Sequence, residues 1–192
     1  MSAIAGHPTK RQQIVETAYE LFKNGGYHAT GIDRIIADAG VAKMTMYRNF
    51  PSKEGLIVEV LRYRAQRFDE RLDRLAESAN STETKIATII DWHERWFRSD
   101  DFHGCLFAHA LAEFGEPGHP VFEAVHGQKT AFRARLQRIL SDTLPDDQGA
   151  ATALFMLIEG ATLLAQLGQA DIAITTLREA AQRILARATE PA

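Results

Sequence analysis

Residues 30–50 read TGIDRIIADAGVAKMTMYRNF, from Thr30 to Phe50, and their spacing decides the fold. Ile32, Ile35 and Ile36 recur at helical spacing beside small Ala37 and Ala39. Gly40 follows where a helix end needs a left-handed residue, which glycine adopts without steric penalty. Val41 is an apolar plug after the turn. Ala42 to Asn49 makes a second short helix, in which Met46 and, four residues on, Phe50 face inward. Lys43, Met44, Thr45, Tyr47 and Arg48 are left outside. A helix-turn-helix places such an exposed second helix in the DNA major groove. A helical hairpin in an ordinary α-domain is the competing reading of this segment taken alone.

The flanking residues favour the first reading. Arg11-Gln12-Gln13-Ile14, Ala18, Leu21-Phe22, Gly26-Tyr27 and Ala29-Thr30 lead into the segment, and Phe50-Pro51-Ser52-Lys53-Glu54-Gly55-Leu56 closes it. In order and distance these motifs make the first quarter of the chain resemble the N-terminal DNA-binding domain of the TetR/AcrR family of transcriptional regulators. The resemblance implies an all-α protein of about nine helices. A three-helix helix-turn-helix domain over residues 1–53 would precede a helical ligand-binding and dimerisation domain over residues 54–192. It implies a homodimer on a near-palindromic, double-stranded operator, acting as a repressor that a small-molecule effector releases. By the same resemblance Tyr47 and Lys53 contact phosphates, with Thr30 helping at the first turn of its helix. Lys43, Thr45 and Arg48 are expected to touch bases or backbone. Met44 departs from the small or polar residue usual there, and would pack against a thymine methyl. Ala42 replaces the commoner serine cap, at a cost of about 1 kcal/mol to the free helix.

Composition agrees with a globular, non-secreted protein. The chain has 192 residues, 45% hydrophobic and 24% charged, with net charge −3. A negative total argues against a DNA binder until its distribution is considered. Residues 1–53 hold seven basic side chains (Lys10, Arg11, Lys23, Arg34, Lys43, Arg48, Lys53) against four acidic ones (Glu16, Glu20, Asp33, Asp38). A basic front on an acidic body orients the molecule toward phosphates. No apolar leader is legible in Met1–Thr9, and Cys105 is the single cysteine. A reducing, cytoplasmic location without disulfides is expected.

Along the chain, Thr9 is a plausible N-cap with Gln12 as its capping-box partner. The first helix runs to about Lys23 with Ile14, Ala18, Leu21 and Phe22 inward, and Asn24-Gly25-Gly26 ends it. Thr30 caps the second helix. Ser52 caps a long one from Lys53 to about Ala79, whose later Arg/Asp/Glu run reads as a solvated face. Further helices are expected over residues 83–98, 105–114, 121–144, 149–167 and 171–188. No strand alternation or internal repeat is present.

The C-terminal part supplies the remaining candidates. Trp92, Trp96, Phe107, Phe114 and Phe155, with polar His93, His109, Glu113 and Glu159, suit a largely apolar cavity for a small apolar or aromatic effector. The two acids, if buried, need partners, from either a cationic ligand or an internal salt bridge. The helix GAATALFMLIEGATLLAQL is apolar nearly all round. Glu159 and Gln166 interrupt it, so a membrane span is rejected and no membrane partner is expected. The preferred reading is one face in the core and one at a subunit interface, with Leu154, Ile158, Ala161 and Ala165 meeting Leu177, Ala181 and Ile184 of the last helix. Cys105 reads as a small buried residue, or alternatively as a thiol sensor of electrophiles, since Gly104-Cys105-Leu106 resembles the start of that helix in some regulators of the family. No phosphate loop, nucleophile elbow or zinc-hydrolase helix occurs, so no enzyme activity, cofactor or metal is expected.

Overall fold

The computed structural model describes residues 9–77, 79–144 and 148–186. Among them are nine helices and no strand: α1 Lys10–Gly25, α2 Ile32–Asp38, α3 Lys43–Asn49, α4 Lys53–Glu77, α5 Thr82–Phe97, α6 Leu106–Glu113, α7 Pro120–Leu140, α8 Gln148–Gln166 and α9 Ala170–Ala186. The expected last residues of the final helix, 187 and 188, lie outside the described residues. The protein is all-α, as its periodicity predicts.

The helix ends follow local chemistry. The Thr9 hydroxyl accepts from the Gln12 backbone N–H at 3.2 Å, opening α1. Only half of the expected capping box forms, because the Gln12 side-chain amide donates to Glu16 instead. Ser52 accepts from Gly55 N–H at 3.0 Å and opens α4. Ser81 does the same for α5 through Thr84 N–H. Thr30 is not the cap of α2; Gly31 holds that position without a side-chain bond.

Two compact units form. One contains the described residues up to Gln66 together with Leu106–Val125; the other contains Arg67–Cys105 and the described residues from His126 onward. By contacts α4 contributes to both units, its residues up to Gln66 to the first and those from Arg67 to the second. Leu56, Ile57, Val60 and Leu61 of that helix are fully buried and belong to the head unit, as does all of α6. The contacts that recruit α6 join residues about eighty positions apart in the chain, so local pattern carries no trace of them.

The head is built on Ile14, Ala18 and Phe22 of α1, Tyr27, Ile35, Met46 and Phe50, with the four α4 residues. The second unit has its own core, from Phe68 and Leu72 through Ile86, Ile90, Phe132, Leu136, Leu154 and Ile158 to Ile174 and Leu177. Burying this apolar area supplies the main driving force for its helices, each a few turns long. The charged run of α4 is not wholly solvated: Arg135 of α7 bonds both Asp69 and Asp73.

An ion network ties α5 to α9. Arg178 reaches Asp91 at 2.7 Å and also Glu94, while Arg98 joins Glu94 at 3.2 Å to Asp171 at 2.7 Å. The hydrogen bond from Arg178 holds the Glu94 carboxyl below its ordinary range. A depressed folded value contributes stability above the ordinary glutamate range, and that contribution is lost as pH falls through the depressed value. Glu94→Gln should therefore flatten the acid limb of the stability–pH curve below the ordinary glutamate range. Thermal melts in an acid series check this; an unchanged limb would show that the network does not sense acid through Glu94.

Candidate nucleic-acid interface

The exposed face of α3 is fixed by what the helix buries. Met46 is completely buried and Phe50, just past the helix end, is 4% exposed. These two anchors leave one rotation for α3, with Lys43, Met44, Tyr47 and Arg48 outward and Thr45 half-buried. Met44 is 72% exposed and Tyr47 43%. The turn before α3 has Gly40 at φ +59°, in the left-handed region its sequence position requires. Gln13 of α1 donates to the Ala39 carbonyl at 2.8 Å and satisfies the end of α2. No local pattern marks this link across twenty-six residues. Ala42 caps α3 without a side-chain bond, as the missing serine implies.

Charge converges on this face. Lys43 pairs with Asp33 at 3.2 Å, both side chains well exposed. A solvated pair of this kind contributes only about 0–1 kcal/mol, so a phosphate can replace Asp33 at little cost. Arg48 lies one turn on, and Lys53 opens α4 with its ammonium 3.2 Å from the His28 carbonyl. Arg11 lies over the Phe50 ring at 5.0 Å and bonds Glu59 at 2.8 Å. That bond pushes the Arg11 guanidinium up and the Glu59 carboxyl down from their ordinary ranges.

Thr30 is corrected. It is 2% exposed, and its hydroxyl donates to the Gly26 carbonyl at 2.8 Å. The hydroxyl braces the α1–α2 turn from inside and does not face a phosphate. The double glycine at 25 and 26 brings the accepting carbonyl within reach, four residues before Thr30.

Residues 14–60 match the model of the bacterial regulatory proteins, tetR family. The HTH-type transcriptional regulator YjdC of Escherichia coli is 24% identical over 167 residues, which cover 85% of this chain and 87% of that protein. A crystallised TetR-family transcriptional regulator from Streptomyces coelicolor superposes with a TM-score of 0.88 at 28% identity, covering 94% of this chain and 96% of its own. The chain carries a tetR-family DNA-binding domain over residues 14–60 and is similar to TetR-family regulators along most of its length. It is a DNA-binding transcriptional regulator, and α2–α3 is its helix-turn-helix. The fatty acid metabolism regulator protein of Bacillus subtilis is 30% identical, over 84 residues that cover 44% of this chain and 43% of its own.

The residues read as an effector cavity are divided between the two units. Trp92, His93, Trp96 and Phe155 lie in the second unit, and Phe107, His109, Glu113 and Phe114 in the head unit. Trp92 stacks on Trp96 at 5.4 Å and meets Phe68 at 5.1 Å. His93 is 3% exposed, with Nδ1 2.8 Å from the Ile89 carbonyl, the arrangement of a satisfied core histidine. Phe107 is buried, and Phe114 packs on the His28 ring at 4.7 Å. Both acids have internal partners. Glu113 accepts backbone N–H bonds from Tyr27 and His28, and Glu159 takes Lys129 at 2.6 and 2.7 Å. No sequence signal marks Lys129, since a lysine inside an amphipathic helix normally reads as surface. The same ammonium stands 3.4 Å from the Cys105 sulfur. Among the described residues no three His, Cys, Asp or Glu side chains come together as a metal site.

The residues read as interface divide: Ala161, Leu177 and Ile184 line an open trough between α8 and α9, and Leu154, Ile158, Ala165 and Ala181 do not. Leu154, Ile158 and Leu177 are 1% exposed in a single chain, and Ala161, Ala165 and Ala181 are buried too. Only Ile184 is partly open. The open face of α8 carries Met156, Gly160 and Leu163, four and three residues apart, with Leu167 just past its end, beside Thr176, Ala180 and Arg183 of α9. Between α8 and α9 it forms a trough of about 760 Å³. Because α8 is apolar all round, its sequence does not say which stripe is the core; α5 and α9 decide that by covering one side.

Lys53→Ala should weaken binding to every duplex alike and lower the slope of log affinity against log salt by about one. Arg48→Ala should instead narrow the gap between preferred and random duplex by about 1–3 kcal/mol. Fluorescence anisotropy across a salt series separates the two; an unchanged slope for Lys53→Ala would remove that residue from the phosphate contacts.

Proposed function

We propose that the chain works as a cytoplasmic homodimer whose two α3 helices enter successive major grooves of a near-palindromic operator. On this reading it acts as a repressor released by a small apolar or aromatic effector. The observation that carries it is the outward face of α3, with Lys43, Met44, Tyr47 and Arg48 presented by a helix whose other side is locked by Met46 and Phe50. Tyr47 and Lys53 take phosphates, Lys43, Thr45 and Arg48 take bases or backbone, and Met44 meets a thymine methyl.

A second copy of the chain is the occupant we assign to the α8–α9 trough. Met156, Leu163 and Leu167 are 62%, 59% and 64% exposed, an apolar stripe that a soluble protein normally covers. The gap at Gly160, where an added Cβ would meet nothing within 4 Å, allows a partner helix to approach closely. Two α8–α9 pairs then form a four-helix, isologous interface. Helix α8 is also long and apolar enough to cross a membrane by composition alone, but the dimer accounts for its apolar outer stripe. Effector binding is assigned to the second unit beside Trp92, Trp96 and Phe155, where it would favour a dimer with heads wrongly spaced for DNA. Sensing of electrophiles through Cys105 is the second reading, favoured by the Lys129 ammonium beside its sulfur. Loss of the response in Cys105→Ser, with Trp96→Ala still responsive, would select it.

Leu163→Glu should leave the single chain folded, since that side chain is exposed, and should yield monomers by sedimentation at micromolar concentration. Operator affinity should fall by about 10²-fold or more, because two linked heads bind far more tightly than one. A dimeric Leu163→Glu protein with undiminished affinity would place the subunit interface elsewhere.

A further inference from the structure

The turn between α1 and α2 is held by a side chain more than eighty residues away. Glu113, the last residue of α6, accepts the Tyr27 N–H at 2.9 Å with one oxygen and the His28 N–H at 2.5 Å with the other. Residues 27–31 lie outside both helices, so their backbone donors need partners from elsewhere. A carboxylate that accepts two N–H groups makes charge-assisted bonds, roughly twice as strong as neutral ones. Gly26 permits the approach: its φ is +78°, and a Cβ there would lie 3.2 Å from the Glu113 carboxylate. The far end of α6 is fastened to the same turn, where the buried Tyr27 hydroxyl donates to the Leu106 carbonyl at 3.0 Å.

The other side of His28 faces the DNA-contact set. Its carbonyl accepts from the Lys53 ammonium at 3.2 Å. Glu113 fixes the N–H of His28 and Lys53 binds the C=O of that residue. We propose that Glu113 is a positioning residue for DNA binding: by pinning His28 it sets the carbonyl that holds the Lys53 side chain in its phosphate-facing rotamer. Lysine loses considerable rotamer freedom when it docks, so a lysine already held loses less of it on binding. The inference rests on the reading of Lys53 as a phosphate contact.

Plain electrostatics predicts the opposite sign. Removing a carboxylate from a head that binds a polyanion should tighten binding. The test uses the full-length chain and a duplex selected by the wild type from a random pool, with anisotropy read across a salt series. Glu113→Gln keeps the shape but leaves one N–H without its acceptor, and Glu113→Ala removes both bonds; thermal melts identify any variant that fails to fold, in which case the glutamine variant carries the test. We expect each Glu113 variant to weaken binding about tenfold and to lower the salt slope by about one, as Lys53→Ala does. Glu113→Gln combined with Lys53→Ala should then bind no worse than Lys53→Ala alone, the signature of two residues acting through one contact. Tighter or unchanged binding by Glu113→Gln while Lys53→Ala weakens overturns the positioning role and leaves the phosphate contact standing. Additive losses with an unchanged slope for Glu113→Gln overturn it in favour of a structural role. An unchanged Lys53→Ala overturns both.

Discussion

The burial of Met46 and Phe50 in the head core is the constraint on which the DNA-binding surface depends. A seven-residue helix has little stability of its own, since nucleation is costly and few bonds follow it. The serine cap that would help is absent at Ala42. Tertiary contacts therefore both form α3 and choose its rotation. Once Met46 is inside, the residues one and two positions away on either side must lie outside or at the edge, and these are the ones with DNA chemistry. The Gln13 bond to Ala39 and the left-handed Gly40 keep α2 and α3 in a fixed relation behind that surface. Groove reading needs this rigidity, because base-edge hydrogen bonds tolerate only small displacements.

Buried and half-buried charge is handled internally throughout the molecule. Glu159 takes Lys129, Glu113 takes two backbone donors, and Glu94 takes Arg178 and Arg98. Either acid of the proposed effector set, left alone, would have favoured a cationic ligand. With both satisfied, the polar demand on an effector is small, in keeping with an apolar or aromatic molecule. The same bonds show how α6 becomes part of the head: its first residue accepts from the Tyr27 hydroxyl and its last accepts from the Tyr27 and His28 N–H groups.

Sequence periodicity revealed the head because its helices are short, their apolar residues few, and each has one choice of inward face. The same logic failed for α8, where apolar residues on every side leave the core stripe undetermined; Leu154 and Ile158 were read as interface, while Met156 and Leu163 hold the open face. Aromatic clustering in sequence does not report which unit each ring joins. Trp92 and Phe114 stand twenty-two residues apart, yet they belong to different compact units. Thr30 was read from its place before a helix, but the glycine pair upstream offered its hydroxyl a nearer carbonyl. For α8 and the aromatic residues the missing information was a contact between distant segments, which composition and spacing do not encode; for Thr30 it was the local shape of the turn four residues upstream.

Hydroxyl-radical footprinting of the full chain on duplex DNA selected from a random pool tests the central claim most directly, because it shows where the two α3 faces land. Two protected patches on one face of the duplex, related by a two-fold axis and centred about one helical turn of 10–10.5 base pairs apart or a multiple of it, are predicted. A single asymmetric patch, or a pool from which no preferred sequence emerges, would contradict the account.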